Sequence, residues 1–363
     1  MEINNQSQKA GDNSQLIQAQ TVIVSGISEQ RAREIFDEKF AITRKELTQE
    51  AVVEAQSRIK KLEDNLIPKI KKVDDGLKAF ADPSFQMLLV EAQKTAASTE
   101  REEDYDLLSE LLVDRIKIGQ NRNERAGIHH AIQIIDDISS SALQALTLFY
   151  IIQNVLPSSD IDSGLKSLDE IYGKFIKEPL PLGMEWIEHL DLLRALRINS
   201  FGRFPQIEDI IVQISQDFAE VGINKDSVEY KNALTLLTST GLPIKGVFIC
   251  NPALDNYVRL NITSIEDIES LSLINGLTGN SIPLSDIQKN TLKKIRATYS
   301  KDKTLIKTMK EFILQKWLSH SNLCTFINWW RQIPVSFNVT VAGNLLANAN
   351  ANRIDPFFPR IKV

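Results

Sequence analysis

The chemistry open to this chain begins with four histidines, at positions 129, 130, 189 and 320. His129 and His130 are neighbours, which on a helix sets them about 100° apart, so they cannot chelate one metal ion as an i, i+4 pair could. Glu188, His189 and Asp191 lack the HExxH spacing of a helical zinc site, and His189 reads as a partly buried structural residue. The acidic neighbours Asp136 with Asp137, and Glu102 with Glu103 and Asp104, diverge on helices and suit solvated or capping roles rather than paired acid–base work. Cys250 and Cys324 have no CxxC spacing and read as small buried hydrophobes. No GxxxxGK[ST], GxGxxG or GxSxG run occurs, so the usual phosphate-binding loops and the nucleophile elbow are missing. The residue types predict no catalytic, cofactor-binding or metal site. An enzyme would need its polar groups to meet only in the fold, marked by His189 or His320 beside two carboxylates in a cleft.

Two clusters could bind rather than react. Trp329, Trp330 and Arg331 could stack a base or grip a partner; two successive tryptophans are not expected to face one helix-packed core together, so one could be exposed or sit at an interface, although a structural role, with large aromatics wedged between domains, is the leading reading. Lys60, Lys61, Lys69, Lys71 and Lys72 share a helix with Glu63, Asp64, Asp74 and Asp75, which reads as a solvated, charge-laced face. With a net charge of -5 no overall positive field draws the chain to nucleic acid or anionic lipid. A nucleic-acid-binding regulator would need one strongly basic face despite that balance.

The elements that must position these residues are mainly helical. Hydrophobic residues make up 43% and charged residues 25%, and 15 Gly and 12 Pro are few for 363 residues, which favours long regular elements. Residues 142–156 form the longest apolar run, but Gln144, Gln153 and Asn154 interrupt it and it is shorter than a bilayer span, so a buried core helix and no membrane span are expected. The opening MEINNQSQKAGDNSQ has no basic-then-apolar signal, which makes the cytoplasm the expected compartment.

Along the chain, residues 16–24 (LIQAQTVIV) alternate as a strand, with Ile17, Ala19, Thr21 and Ile23 on one side and Val22 and Val24 on the other. A lone strand needs a partner, and few other strand signals follow. Pairing with copies from other chains, through Ile17, Thr21, Val22, Ile23 and Val24, would make a homo-oligomer; a tail that never pairs is the alternative. Ser28 can cap a long helix. Val52, Ala55, Ile59, Leu62, Leu66, Ile70, Val73, Leu77 and Phe80 form a heptad-like stripe that suits either an intrachain bundle or an intermolecular coiled coil, with a kink or break at Pro68. Asp82 and Pro83 mark a turn, Thr99 with Glu102 a helix start from Glu100, and residues 139–141 a cap for the apolar helix. PSSDIDSG, residues 157–164, is the clearest linker. Trp186 and Trp317 each precede a His by three residues and a Thr-x-x-Gly run, at 238–241 and 340–343, which reads as two similar helical units. The expected organisation is a β segment at 1–27, a long kinked helix and bundle at 28–156, and two α-rich units with minor β elements at 165–250 and 251–363.

The head NNQSQKAGDNSQLIQAQTVIVSGISEQRAREI resembles a segment that precedes a long helix in a group of bacterial proteins. Downstream, ADPSFQMLLVEAQKTAASTEREEDYDLLSELLVDRI, the Trp-led helix and ALTLLTSTG resemble proteins related to the abortive-infection alpha type, associated with bacterial defence against phage. The resemblance implies a cellular role and no active-site motif. The function it implies is a non-enzymatic defence or stress effector acting through self-association and binding of an unknown protein or phage component.

Overall fold

Stretches poor in glycine and proline fold as helices joined by short connections, and the chain is mainly helical with minor strands. The computed structural model describes residues 27–43, 48–74, 77–118, 121–155, 161–215, 219–262, 266–274 and 281–359. The candidate self-association residues Ile17, Thr21, Val22, Ile23 and Val24 lie outside them. The chain divides into two compact units, Met1–Ser98 and Thr99–Val363.

In the first unit α1 (Glu29–Thr43), α2 (Gln49–Val73) and α3 (Pro83–Ser98) pack on one another. The single long helix expected from Ser28 is two, because Thr48 leaves helical geometry (φ -69, ψ 165) and its hydroxyl accepts the amide of Ala51 to start α2. The expected break at Pro68 does not occur. Pro68 and Asp64, the residue whose carbonyl it leaves without a donor, are both exposed on α2, and the helix runs on to Val73. Phe80 belongs to a separate 3-10 turn, Lys78–Ala81, set off by Leu77 at φ 48. The stripe from Val52 to Ile70 is buried within the unit, and Phe80 meets Phe85 edge-on at 5.5 Å. Its charged neighbours are paired: Lys60 with Glu63 at 2.8 Å, and Lys71 with Glu29 at 3.0 Å.

The second unit opens with α4 (Glu102–Lys117), α5 (Arg122–Gln133), α6 (Ser140–Asn154), α7 (Ile161–Phe175) and α8 (Glu185–Leu192). A strand β1 (Leu196–Asn199) and α9 (Ile207–Ile214) lead to a small lobe. There β2 (Ile223–Asn224), α10 (Val228–Ser239), β3 (Phe248–Cys250), β4 (Tyr257–Leu260), the hairpin β5 (Ser272–Ile274) with β6 (Ser281–Pro283), and α11 (Asp286–Ala297) share a core around Leu237, Leu260 and Ile295. The chain returns through α12 (Lys303–Leu318), α13 (Ser321–Trp330) and β7 (Ser336–Val339), which pairs antiparallel with β1, Leu196 opposite Val339. The last helix, α14 (Val341–Ile354), packs against α4, α5 and α6. Residues 342–352 of α14 carry one Gly, four Ala and four Asn, small enough to let three helices close around it, and it is buried nearly all round.

Ser139 caps α6, whose residues from Ala142 to Ile152 are mostly buried as expected of a core helix. Among the described residues no helix is long and apolar enough to cross a membrane. The recurrence read from the Trp and Thr-x-x-Gly spacings is not structural. Trp186 opens α8 whereas Trp317 closes α12; residues 238–241 end α10, with Gly241 at φ 67, whereas Thr340 starts α14 as its N-cap. Trp329 and Trp330 are both buried, against expectation. They are the last two residues of α13, with loops on either side, so one indole N–H reaches Pro181 O at 2.7 Å and the other Pro205 O at 2.9 Å while both rings pack on Phe149. Cys250 is exposed rather than buried, with Lys225 Nζ 3.7 Å from its sulfur, and Cys324 is half-buried.

Candidate functional site

Three asparagines of α14, Asn348, Asn350 and Asn352, are buried, so each side chain needs partners inside the unit. Asn348 donates to Tyr150 Oη at 3.0 Å and to Pro359 O at 3.1 Å, and Asn352 donates back to Asn348 O at 2.9 Å. Asn350 has a different task. Its amide donates to Thr147 Oγ1 at 2.8 Å, Thr147 donates to Leu143 O at 2.7 Å, and Asn350 Oδ1 accepts Arg353 Nε at 3.0 Å. The relay runs from the backbone of α6 through Thr147 and Asn350 and holds the Arg353 guanidinium at one edge of a cavity of about 300 Å³.

The cavity lies where the last turn of α14, the first turn of α4, the start of α6 and the end of α7 converge. Arg101, Lys174, Lys177 and Arg353 face it, with Glu103, Asp104 and Glu178 as counter-charges. Gln144 donates to Phe175 O at 2.9 Å and to Glu178 O at 3.3 Å, which ties the segment after α7 to α6. Lys174 is held by Asp355 at 2.6 Å, a contact that also lowers the Asp355 carboxyl. Arg353 and Lys177 have no ion-pair partner among the described residues. Burial pulls the Arg353 guanidinium below its ordinary value, and Glu103, Asp106 and Asp104 act in the opposite sense from a distance.

Asp104 departs from the solvated or capping role expected of its acidic run, because it is fully buried. Thr99 does not cap α4 either: Arg101 holds the N-cap position, the helix starts at Glu102, and the Thr99 hydroxyl donates to Asp104 Oδ2. Arg101 Nε adds a second bond to that oxygen at 3.0 Å, while its Nη atoms donate to Ile138 O at 2.6 Å and Ile135 O at 2.5 Å. Asp104 Oδ1 is sealed from water with no partner among the described residues. Burial raises the Asp104 carboxyl, partly offset by Thr99 and Arg101. The folded chain therefore keeps this proton to higher pH than the unfolded chain, so the contribution of Asp104 is present below the ordinary value of 3.8 and is lost as pH rises through the raised one. Asp104→Asn should remove that slope. Urea midpoints measured from pH 4 to pH 7 should fall less steeply with rising pH in the variant than in the wild type, and parallel profiles would contradict the assignment.

The other residues singled out from sequence are dispersed. His130 Nε2 lies 3.0 Å from Leu193 O, His189 Nε2 accepts the amide of Ser139 at 3.2 Å, and His320 is the N-cap residue of α13. None of the four histidines lines the cavity, and among the described residues no three His, Cys, Asp or Glu groups gather as metal ligands. Arg331 pairs with Glu208 at 2.6 Å beside the buried tryptophans. Sequence reasoning missed Arg353, Asn350, Lys177 and Glu103 as a group; the readable signal was ANANANR, an alternation of Asn with Ala that makes no helical stripe and so demands buried polar partners.

Neither the curated proteins nor the solved structures contain a match to this chain. A family model matches residues 26–360, and nothing in that match points to abortive infection. The match spans nearly the whole chain, and this protein belongs to that family, which is uncharacterised.

Proposed function

We propose that this chain is a cytoplasmic, non-enzymatic bacterial effector of defence or stress that works by binding, with an anionic group of its target received at Arg353. The observation that carries the reading is a half-buried guanidinium, fixed by Asn350 and Thr147, that faces a cavity with no acid paired to it. Holding a cation out of water without a counter-ion is costly, and an incoming carboxylate or phosphate would relieve that cost. Self-association through the N-terminal segment around Ile23 belongs to the same proposal and rests on the alternating pattern of residues 16–24. The defence role rests on the resemblance of the sequence to abortive-infection proteins.

The test is thermal unfolding of the full chain with acetate and with inorganic phosphate at millimolar concentration. The wild-type midpoint should rise with anion concentration and Arg353→Gln should lose most of that rise, with an unchanged helical spectrum. In a bacterial host challenged with phage, the same variant should lose the protection that the wild type gives. An equal response of both proteins to each anion would reject Arg353 as the receptor.

A further inference from the structure

The charges around the cavity are mixed, and their arrangement says more about the ligand than that it is an anion. Glu103 leads the acidic groups that act on Arg353, yet the two make no ion pair within 4 Å. Glu103 stands in the first turn of α4, lines the cavity and is half-buried, whereas its neighbour Asp104 is sealed behind that wall. Across the same space stand Arg353 and Lys177, both without acid partners among the described residues. The Glu103 carboxylate and the Arg353 guanidinium line one small volume and do not close on each other.

A polyanion would satisfy the basic pole but would be repelled by Glu103, Asp104 and Glu178. A simple cation would meet the reverse problem at Arg353. A molecule with a carboxylate and an ammonium a few atoms apart satisfies both poles together. The volume of about 300 Å³ stands at the small end of the range for ligand cavities, so it suits a molecule of amino-acid size. Leu143 and Phe175 supply an apolar part of the lining for a side chain. Resting on the reading of Arg353 as an anion receptor, we propose that this cavity binds a free α-amino acid or a zwitterion of the same form, its carboxylate on Arg353 and Lys177 and its ammonium on Glu103.

The experiment uses the full chain and the common L-amino acids, screened by thermal shift and followed by titration calorimetry. Any that bind are compared with their N-acetyl and carboxamide derivatives and with inorganic phosphate. Binding of a free amino acid at least tenfold tighter than either derivative, lost in both Arg353→Gln and Glu103→Gln, is the expected result. Glu103 is only half-buried, so its variant keeps the fold, and a helical spectrum checks this for both. An N-acetyl derivative or phosphate that binds as tightly as the free amino acid, with loss in Arg353→Gln alone, would overturn the zwitterion and leave the anion receptor standing. Absence of binding by every amino acid, derivative and phosphate would overturn both.

Discussion

Replacing Gly343 with alanine is expected to destabilise the second unit by on the order of 4 kcal/mol, a large share of the roughly 5–15 kcal/mol that holds a domain folded. A Cβ at this position would stand 2.0 Å from Ala195 O and 3.0 Å from Ala195 C, with Val339 Cγ1 at 2.9 Å. The near atom is backbone and cannot swing aside. Ala195 O accepts both the amide of Thr340 at 3.0 Å and its hydroxyl at 2.9 Å, and Thr340 Oγ1 in turn accepts the Gly343 amide at 3.1 Å. Relieving the clash therefore loosens the α14 cap and the β1–β7 pairing that continues from it. Gly183→Ala is the control, since Gly183 has φ 74 but nothing within 4 Å of its would-be Cβ; it should cost only about 1 kcal/mol from backbone strain. Urea unfolding of the full chain measures both. If the Gly343 variant were no less stable than the Gly183 variant, the close approach of α14 to Ala195 would be wrong.

The same helix shows where sequence patterns stop being informative. α2 could be read from its stripe because one face is apolar and the other charged, and the residues from Val52 to Ile70 are the buried ones. α14 has no such face. Its asparagines are weak helix formers, and nothing local indicates that Tyr150, Thr147 and Pro359 will satisfy them across about 200 residues of chain and from just beyond the helix end. Burial of α14 is imposed by α4, α5 and α6, so the C-terminal stretch shares a core with helices that begin at Glu102. The tryptophan pair misled for a related reason: the rule that neighbours on a helix diverge holds, but at the end of α13 there are loops on both sides to bury diverging rings. The cavity was illegible as a motif because its poles come from α4 and α14, and only the fold brings Glu103 near Arg353.

Arg101→Met should be the second large loss, about 3–5 kcal/mol, because it removes one partner of a buried pair rather than the pair itself. Asp104 is fully buried, and its other bond comes from the Thr99 hydroxyl, a weaker donor than a guanidinium. The carbonyls of Ile135 and Ile138, in the irregular segment between α5 and α6, would lose their Arg101 donors at the same time. A methionine fills much of the space of the arginine stem, which isolates the polar loss from a packing loss. Adding Asp104→Asn to Arg101→Met should restore on the order of 2 kcal/mol, since an amide without a partner costs less to bury than a carboxylate. The pH profile separates this from simple damage. Arg101 is one of the two groups that hold the Asp104 carboxyl down, so without it the carboxyl rises further and the variant should lose more stability than the wild type as pH climbs from 4 to 7. A loss below about 1 kcal/mol, the scale of an exposed ion pair, would mean that Arg101 and Asp104 are not coupled as the geometry has them.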